Sequence, residues 1–154
     1  AKGLGVEQVQ IVYNGEVVRL APGPVRIIDD APVGRLFRDG SLIVPSEEGP
    51  VRERRKLAHV GIVAVGLALS RRGEMISDPL VAIDGVPAAN RDGEAMIELI
   101  LDAIHGTLKS IPPQRRRDAD MVSEAVRRSV RGTVADAWGK KPIVKVLLSV
   151  VDER

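Results

Sequence analysis

From Val60 to Leu69 the chain is almost wholly apolar and built only from Val, Ile, Leu, Ala and Gly. The run is too short for a membrane-spanning helix, which needs roughly 20 apolar residues. Two glycines, Gly61 and Gly66, sit inside it and weaken any helical reading. The remaining solution is a strand buried on both faces. The small residues Gly61, Ala64, Gly66 and Ala68 leave room for helices to approach one of those faces closely.

The residues downstream supply partners for such a strand. Ser70 to Gly73 reads as a turn, and Glu74 to Ile83 as a second strand interrupted at Asp78-Pro79. A proline there places that strand at a sheet edge or a bulge, because proline donates no ladder hydrogen bond. Asp92 suits the N-cap of a first helix whose apolar face is Ile97, Leu101, Ile104 and Leu108, ended by Pro112-Pro113. Asp118 or Asp120 caps a second helix, with Val122, Val126, Val130 and Ala137 on one side and Arg127, Arg128 and Arg131 on the other. Gly139 to Pro142 stops it. Ile143 to Val151 alternates as a third strand, with Val144, Val146, Leu148 and Val150 on one face and Lys145 and Ser149 on the other.

The unit is therefore α+β, in the order β-β-α-α-β, with a three-stranded mixed sheet covered by two helices. The third strand follows a helical pair, so it returns beside the first. A β-hairpin and a short-stranded linker region precede this unit. Val9 to Tyr13 and Glu16 to Leu20 flank Asn14-Gly15, a strong hairpin signal. Pro- and Gly-rich punctuation from residue 21 to 45 separates short apolar runs, and Ser46 to Pro50 reads as a solvated loop and domain junction. Val51 to Lys56, carrying Arg52, Arg54, Arg55 and Lys56, reads as a charged lead-in running without a break into the first strand.

Composition closes several functional classes. There are no cysteines, so disulfides, thiolate nucleophiles and cysteine-held metals are all absent. No basic-then-apolar leader stands at the start, and no partnership with a membrane is expected. The 23 basic and 21 acidic residues leave a net charge of only +2, which argues weakly for nucleic-acid binding. Tyr13, Phe37 and Trp138 are the only aromatics, too few for the base-stacking platforms of single-strand binders.

No catalytic arrangement is legible. Glu98, Asp102 and His105 share a face of the first helix at spacings that suit a metal, but equally suit a solvated helix with local charge pairs. His59 enters a strand, where backbone or solvent satisfies it. The serines lack a nucleophile-elbow context, and Gly3-Leu4-Gly5 lacks both the third glycine and the preceding strand of a dinucleotide fingerprint. Asp29-Asp30 and Glu47-Glu48 fall in Pro/Gly-rich stretches. Two basic groups stand out. Arg54 and Arg55 either contact phosphates or are solvated and paired with nearby carboxylates such as Glu53. Arg115, Arg116 and Arg117 form a loop tip facing RNA, a neighbouring subunit or water.

Four segments in order resemble the ribonuclease J family. Ala1 to Val6 with Val17 to Leu20 is similar to the end of its metallo-β-lactamase domain, and Ala31-Pro32-Val33-Gly34-Arg35 to Gly40 to its linker. Arg52 to Ala58 with the strand after it resembles the opening of its C-terminal domain, and Lys140 to Val144 that domain's final strand. Where the family has a Ser-Arg-Gly-Phe-like element after the second strand, Ala82 to Pro87 stands instead. The resemblance implies three parts: residues 1–20 as the tail of the metallo-β-lactamase domain, 21–50 as linker, and 51–154 as the C-terminal domain.

It also implies a cytoplasmic parent enzyme that hydrolyses RNA, 5′ to 3′ and internally, with two zinc ions whose His and Asp ligands lie N-terminal to Ala1. No catalytic or metal residue carries over to this chain, and no cofactor is expected in it. Its implied task is assembly: contact with its own catalytic domain and formation of a homodimer or higher homo-oligomer. The alternative is an accessory RNA-binding module working through the basic clusters.

Overall fold

A computed structural model describes residues 2–6, 8–47 and 49–151. The chain divides into two compact units, Ala1–Arg52 and Glu53–Arg154.

The first unit holds two small antiparallel sheets. Strand β1 (Glu16–Arg19) pairs with β2 (Arg26–Asp30), and β3 (Leu36–Asp39) with β4 (Leu42–Pro45). The Asn14-Gly15 turn forms, with Gly15 at φ 99° and the Glu16 amide donating to the Tyr13 carbonyl at 3.2 Å. The expected hairpin around it does not. The Glu16 carboxylate accepts from the Tyr13 amide at 2.7 Å, and Val9 to Tyr13 forms no strand. The ladder of β1 goes instead to β2, across the turn that contains Pro22 and Pro24.

The second unit carries the core. Helix α1 (Gly49–Val60) covers the segment expected to be a strand lead-in. Arg, Glu, Lys, Leu and Ala are all good helix formers, and Pro50 occupies the first turn, where its missing N–H costs nothing. The break comes at Gly61. Its amide donates to the Leu57 carbonyl at 2.8 Å and its φ is 65°, so it ends the helix in the left-handed conformation.

Strand β5 (Ile62–Ser70) is central, with β6 (Leu80–Asp84) antiparallel on one side and β7 (Ile143–Val151) parallel on the other. The mixed three-stranded sheet expected from the sequence is thus present, and β6 occupies an edge. It begins after Pro79 rather than spanning it, and Met75 makes only an isolated bridge to Leu69. The apolar run of β5 implies burial on both faces. Only one is buried: Val63, Val65, Leu67 and Leu69 are enclosed, while Ile62, Ala64, Gly66 and Ala68 are partly accessible.

Helices α2 (Met96–Ser110) and α3 (Ala119–Trp138) cover the buried face. On α2 the buried residues are Met96, Ile100, Ile104 and Leu108. The predicted face shares its C-terminal half with this one, but Ile97 is exposed and Leu101 only half-buried. Asp92 is not the cap. It lies in a turn centred on Asn90, whose Oδ1 accepts from the Asp92 and Glu94 amides at 3.0 and 2.9 Å. Helix α3 is capped as expected by Asp118, which accepts from the Met121 amide at 3.0 Å, and stopped by Gly139 at φ 85°. It buries Val122, Val126, Val130 and Val134, with Ala137 packed at the margin.

Candidate functional site

Three surfaces of the second unit carry the chemistry. The first is the sheet face turned away from the helices. Residue rows across the strands run Asp84–Ile62–Ile143, Ala82–Ala64–Lys145 and Leu80–Gly66–Leu147. Most of this surface is apolar. Leu80 and Leu147 are 76% and 71% exposed, and between them Gly66 has no side chain, which leaves a valley flanked by two leucines. The outer edge of β7 pairs with no strand among the described residues.

The second surface is basic. Two adjoining clefts of about 240 and 200 Å³ share Arg127, Arg131 and Lys141 in their walls. Lys56 from α1 and Lys145 from β7 complete the larger one, and Arg128 from α3 the smaller. Helix spacing puts Arg127 and Arg131 one turn apart on α3. The Lys140 ammonium donates to the His59 carbonyl at 3.1 Å and the Ile143 amide to the Gly61 carbonyl at 3.1 Å, which ties the segment before β7 to the end of α1.

Glu124 orients part of this wall. Its carboxylate accepts from Nε and Nη2 of Arg127 at 2.6 and 2.8 Å, and from Nε of Arg128 at 2.6 Å. The hydrogen bonds from Arg127 and then Arg128 lower the Glu124 pKa from 4.5 to about 2, and the same contact raises that of Arg127.

The third surface is a cleft of about 320 Å³ lined by Asn90, Arg91, Asp92, Asp136 and Trp138. It mixes both signs of charge and joins no nucleophile to a base.

The residues singled out by sequence are distributed differently. Arg54 and Arg55 are exposed on α1. Arg115 and Arg117 are exposed in a short 3-10 turn between α2 and α3, but Arg116 is structural. Its Nε donates to the Ile111 carbonyl at 2.7 Å, and its backbone and Cβ lie against Gly73, where an added methyl would come within 2.5 Å. Lys56 on α1 stands far in sequence from the other cations of the basic clefts, which lie between Arg127 on α3 and Lys145 on β7. The doublet Lys140-Lys141 and the α3 arginines are visible in the sequence as separate clusters, and nothing there signals their convergence. Glu98 and Asp102 are exposed and His105 half-buried. Among the described residues no three His, Asp or Glu side chains gather to hold a metal ion.

Comparison with known proteins places these surfaces in context. A family model described as the ribonuclease J C-terminal domain matches residues 49–151. A ribonuclease J of Sinorhizobium meliloti is 46% identical over 147 residues, which cover 96% of this chain and 26% of the relative. A ribonuclease J of Corynebacterium glutamicum is 21% identical over 143 residues, covering 92% of this chain and 20% of the relative. One from Synechocystis is 35% identical over 86 residues, covering 56% and 13%. The chain thus spans about a quarter or less of the length of these relatives.

Proposed function

We infer the role of this segment from its family: the chain belongs to the ribonuclease J C-terminal domain family, and its task within a ribonuclease J-like enzyme is assembly. The observation that carries this reading is the open sheet face. A valley at Gly66 between exposed Leu80 and Leu147 is a socket for apolar side chains of a second copy. Covering each leucine contributes about 1.5–3 kcal/mol, so a two-fold arrangement that buries the same patch on both copies gains that energy twice over. The outer edge of β7, which pairs with no strand among the described residues, offers further backbone hydrogen bonds to a partner.

In this reading residues 1–20 are the tail of the catalytic domain, 21–50 the linker and 51–154 the assembly domain. The parent enzyme hydrolyses RNA phosphodiesters in the cytoplasm, 5′ to 3′ and internally. Zinc ions held by that enzyme's catalytic domain would supply Lewis-acid chemistry for the hydrolysis. Among the described residues of this chain no helix is long and apolar enough to cross a membrane, which is compatible with that location.

Sedimentation velocity of the chain over a concentration series tests the assembly role. A dimer or larger species that grows with concentration is the expected result. A strict monomer at high micromolar concentration overturns it. The chain alone, supplied with zinc or manganese and RNA, is expected to cleave nothing.

A further inference from the structure

The chain is nearly charge-balanced, with 23 basic and 21 acidic residues, yet no carboxylate among the described residues lines the two clefts. Lys56, Arg131, Lys141 and Lys145 enter no ion pair among the described residues. Cations gathered in a concave, partly apolar setting repel one another and cost stability. A ligand of opposite charge relieves that repulsion.

We propose that this cleft, walled by Lys56, Arg127, Arg131, Lys141 and Lys145, binds the sugar–phosphate backbone of single-stranded RNA. Three features select that ligand. The two clefts adjoin and share Arg127, Arg131 and Lys141, so the cations line an extended track, suited to successive phosphates, instead of a closed pocket for one small anion. No aromatic side chain among the described residues lines either cleft, so bases have nothing to stack on there and contact is with the backbone, independent of sequence. The lining also lacks the aromatic anchors of a protein–protein interface and is rich in lysine, which such interfaces avoid.

Glu124 acts here as a positioning residue. It accepts from Nε and Nη2 of Arg127, which fixes the guanidinium plane and leaves Nη1 outside that pairing. Lys145 lies on the row of the open sheet face, opposite Ala64, so the track reaches the margin of the assembly surface. The lining contains none of Arg54, Arg55 and Arg115–Arg117, although Lys56 follows Arg55 on α1. The site rests on the family reading only in choosing RNA among polyanions.

The test is fluorescence anisotropy of a labelled single-stranded oligouridylate titrated with the chain at about 50 and 200 mM salt. The pair Arg131→Glu and Lys141→Glu is expected to weaken binding at least tenfold and to reduce the log–log salt slope by about two. Arg115→Glu with Arg117→Glu is expected to change affinity by less than about twofold. Thermal melting by circular dichroism checks folding, and the neutral pair Arg131→Gln and Lys141→Gln gives the same direction without added charge. Unchanged affinity in both cleft pairs overturns the proposal, as does an equal loss from the 115/117 pair. Displacement of the RNA by polyglutamate at equal charge concentration also overturns it, and assigns the cleft to an acidic protein. Sedimentation reads self-association separately, so failure of one reading leaves the other standing.

Discussion

Leu80 and Leu147 belong to different edge strands but share one row of the sheet, separated only by Gly66 of β5. Neither is covered, although both lie on a sheet whose opposite face is a close-packed core.

Filling that valley tests what it is for. A Cβ added at Gly66 meets the Leu80 Cβ at 3.5 Å, an ordinary contact, and the backbone there needs no glycine. Gly66→Val therefore keeps the fold, and β-branching favours the strand. Self-association is expected to weaken at least tenfold, equivalent to about 1.4 kcal/mol. Sedimentation velocity reads the outcome, and a variant that associates like the parent removes the open face from the interface.

Two glycines should respond in opposite ways to alanine. At Gly61 the φ of 65° is unfavourable for any side chain, and a Cβ would come within 2.6 Å of the Gly85 carbonyl oxygen. Gly61→Ala is expected to lose more than about 1 kcal/mol. Gly106 lies inside α2 with nothing within 4 Å of an added Cβ, so Gly106→Ala is expected to gain roughly 0.5–1 kcal/mol. Urea denaturation of the two variants measures both signs.

The Glu124 contact makes stability depend on pH. Its carboxyl pKa is lowered from 4.5 to about 2 by hydrogen bonds from Arg127 and Arg128, so the folded state holds the ionised form more tightly than the unfolded chain does. The stabilisation is fully present above pH 4.5, declines as pH falls below that, and is lost at about 2. Glu124→Gln should lack this component. Denaturation curves of the two proteins are expected to differ at pH 7 and to converge near pH 2, and a constant gap across the range would exclude the pairing.

Periodicity makes the sequence legible wherever one pattern has no competitor. Strand β7 alternates through Leu148, and Asp118, one of two candidate caps, and Gly139 bracket α3. Legibility fails where two patterns overlap. Met96, Ile97, Leu99, Ile100 and Leu101 leave two adjacent apolar stripes on α2, and packing into the core shared with α3 and the sheet selects the one with Met96 and Ile100. Helix α1 escapes a sequence reading because a Gly-Pro start and a charged middle look like a loop, while the decisive signal, Gly61, blends into the strand it precedes. The basic cleft is legible only in pieces, as the α3 arginines and the Lys140-Lys141 doublet. Lys56, Arg131 and Lys145 meet only after a parallel crossover has folded, and no local pattern encodes that.

The same crossover sets a schedule for synthesis. Ile62 pairs with Ile143 and Ser70 with Val151, so β5 is made long before the strand that closes its second edge. At ribosomal speeds of about 5–20 residues per second, the interval is roughly 4–16 s. Through that wait the nascent chain has neither a finished sheet nor the Leu147 side of its valley. The open face is thereby complete only in polypeptides that have been translated through β7, and ribosome-arrested chains ending before Ile143 should remain protease-sensitive across β5.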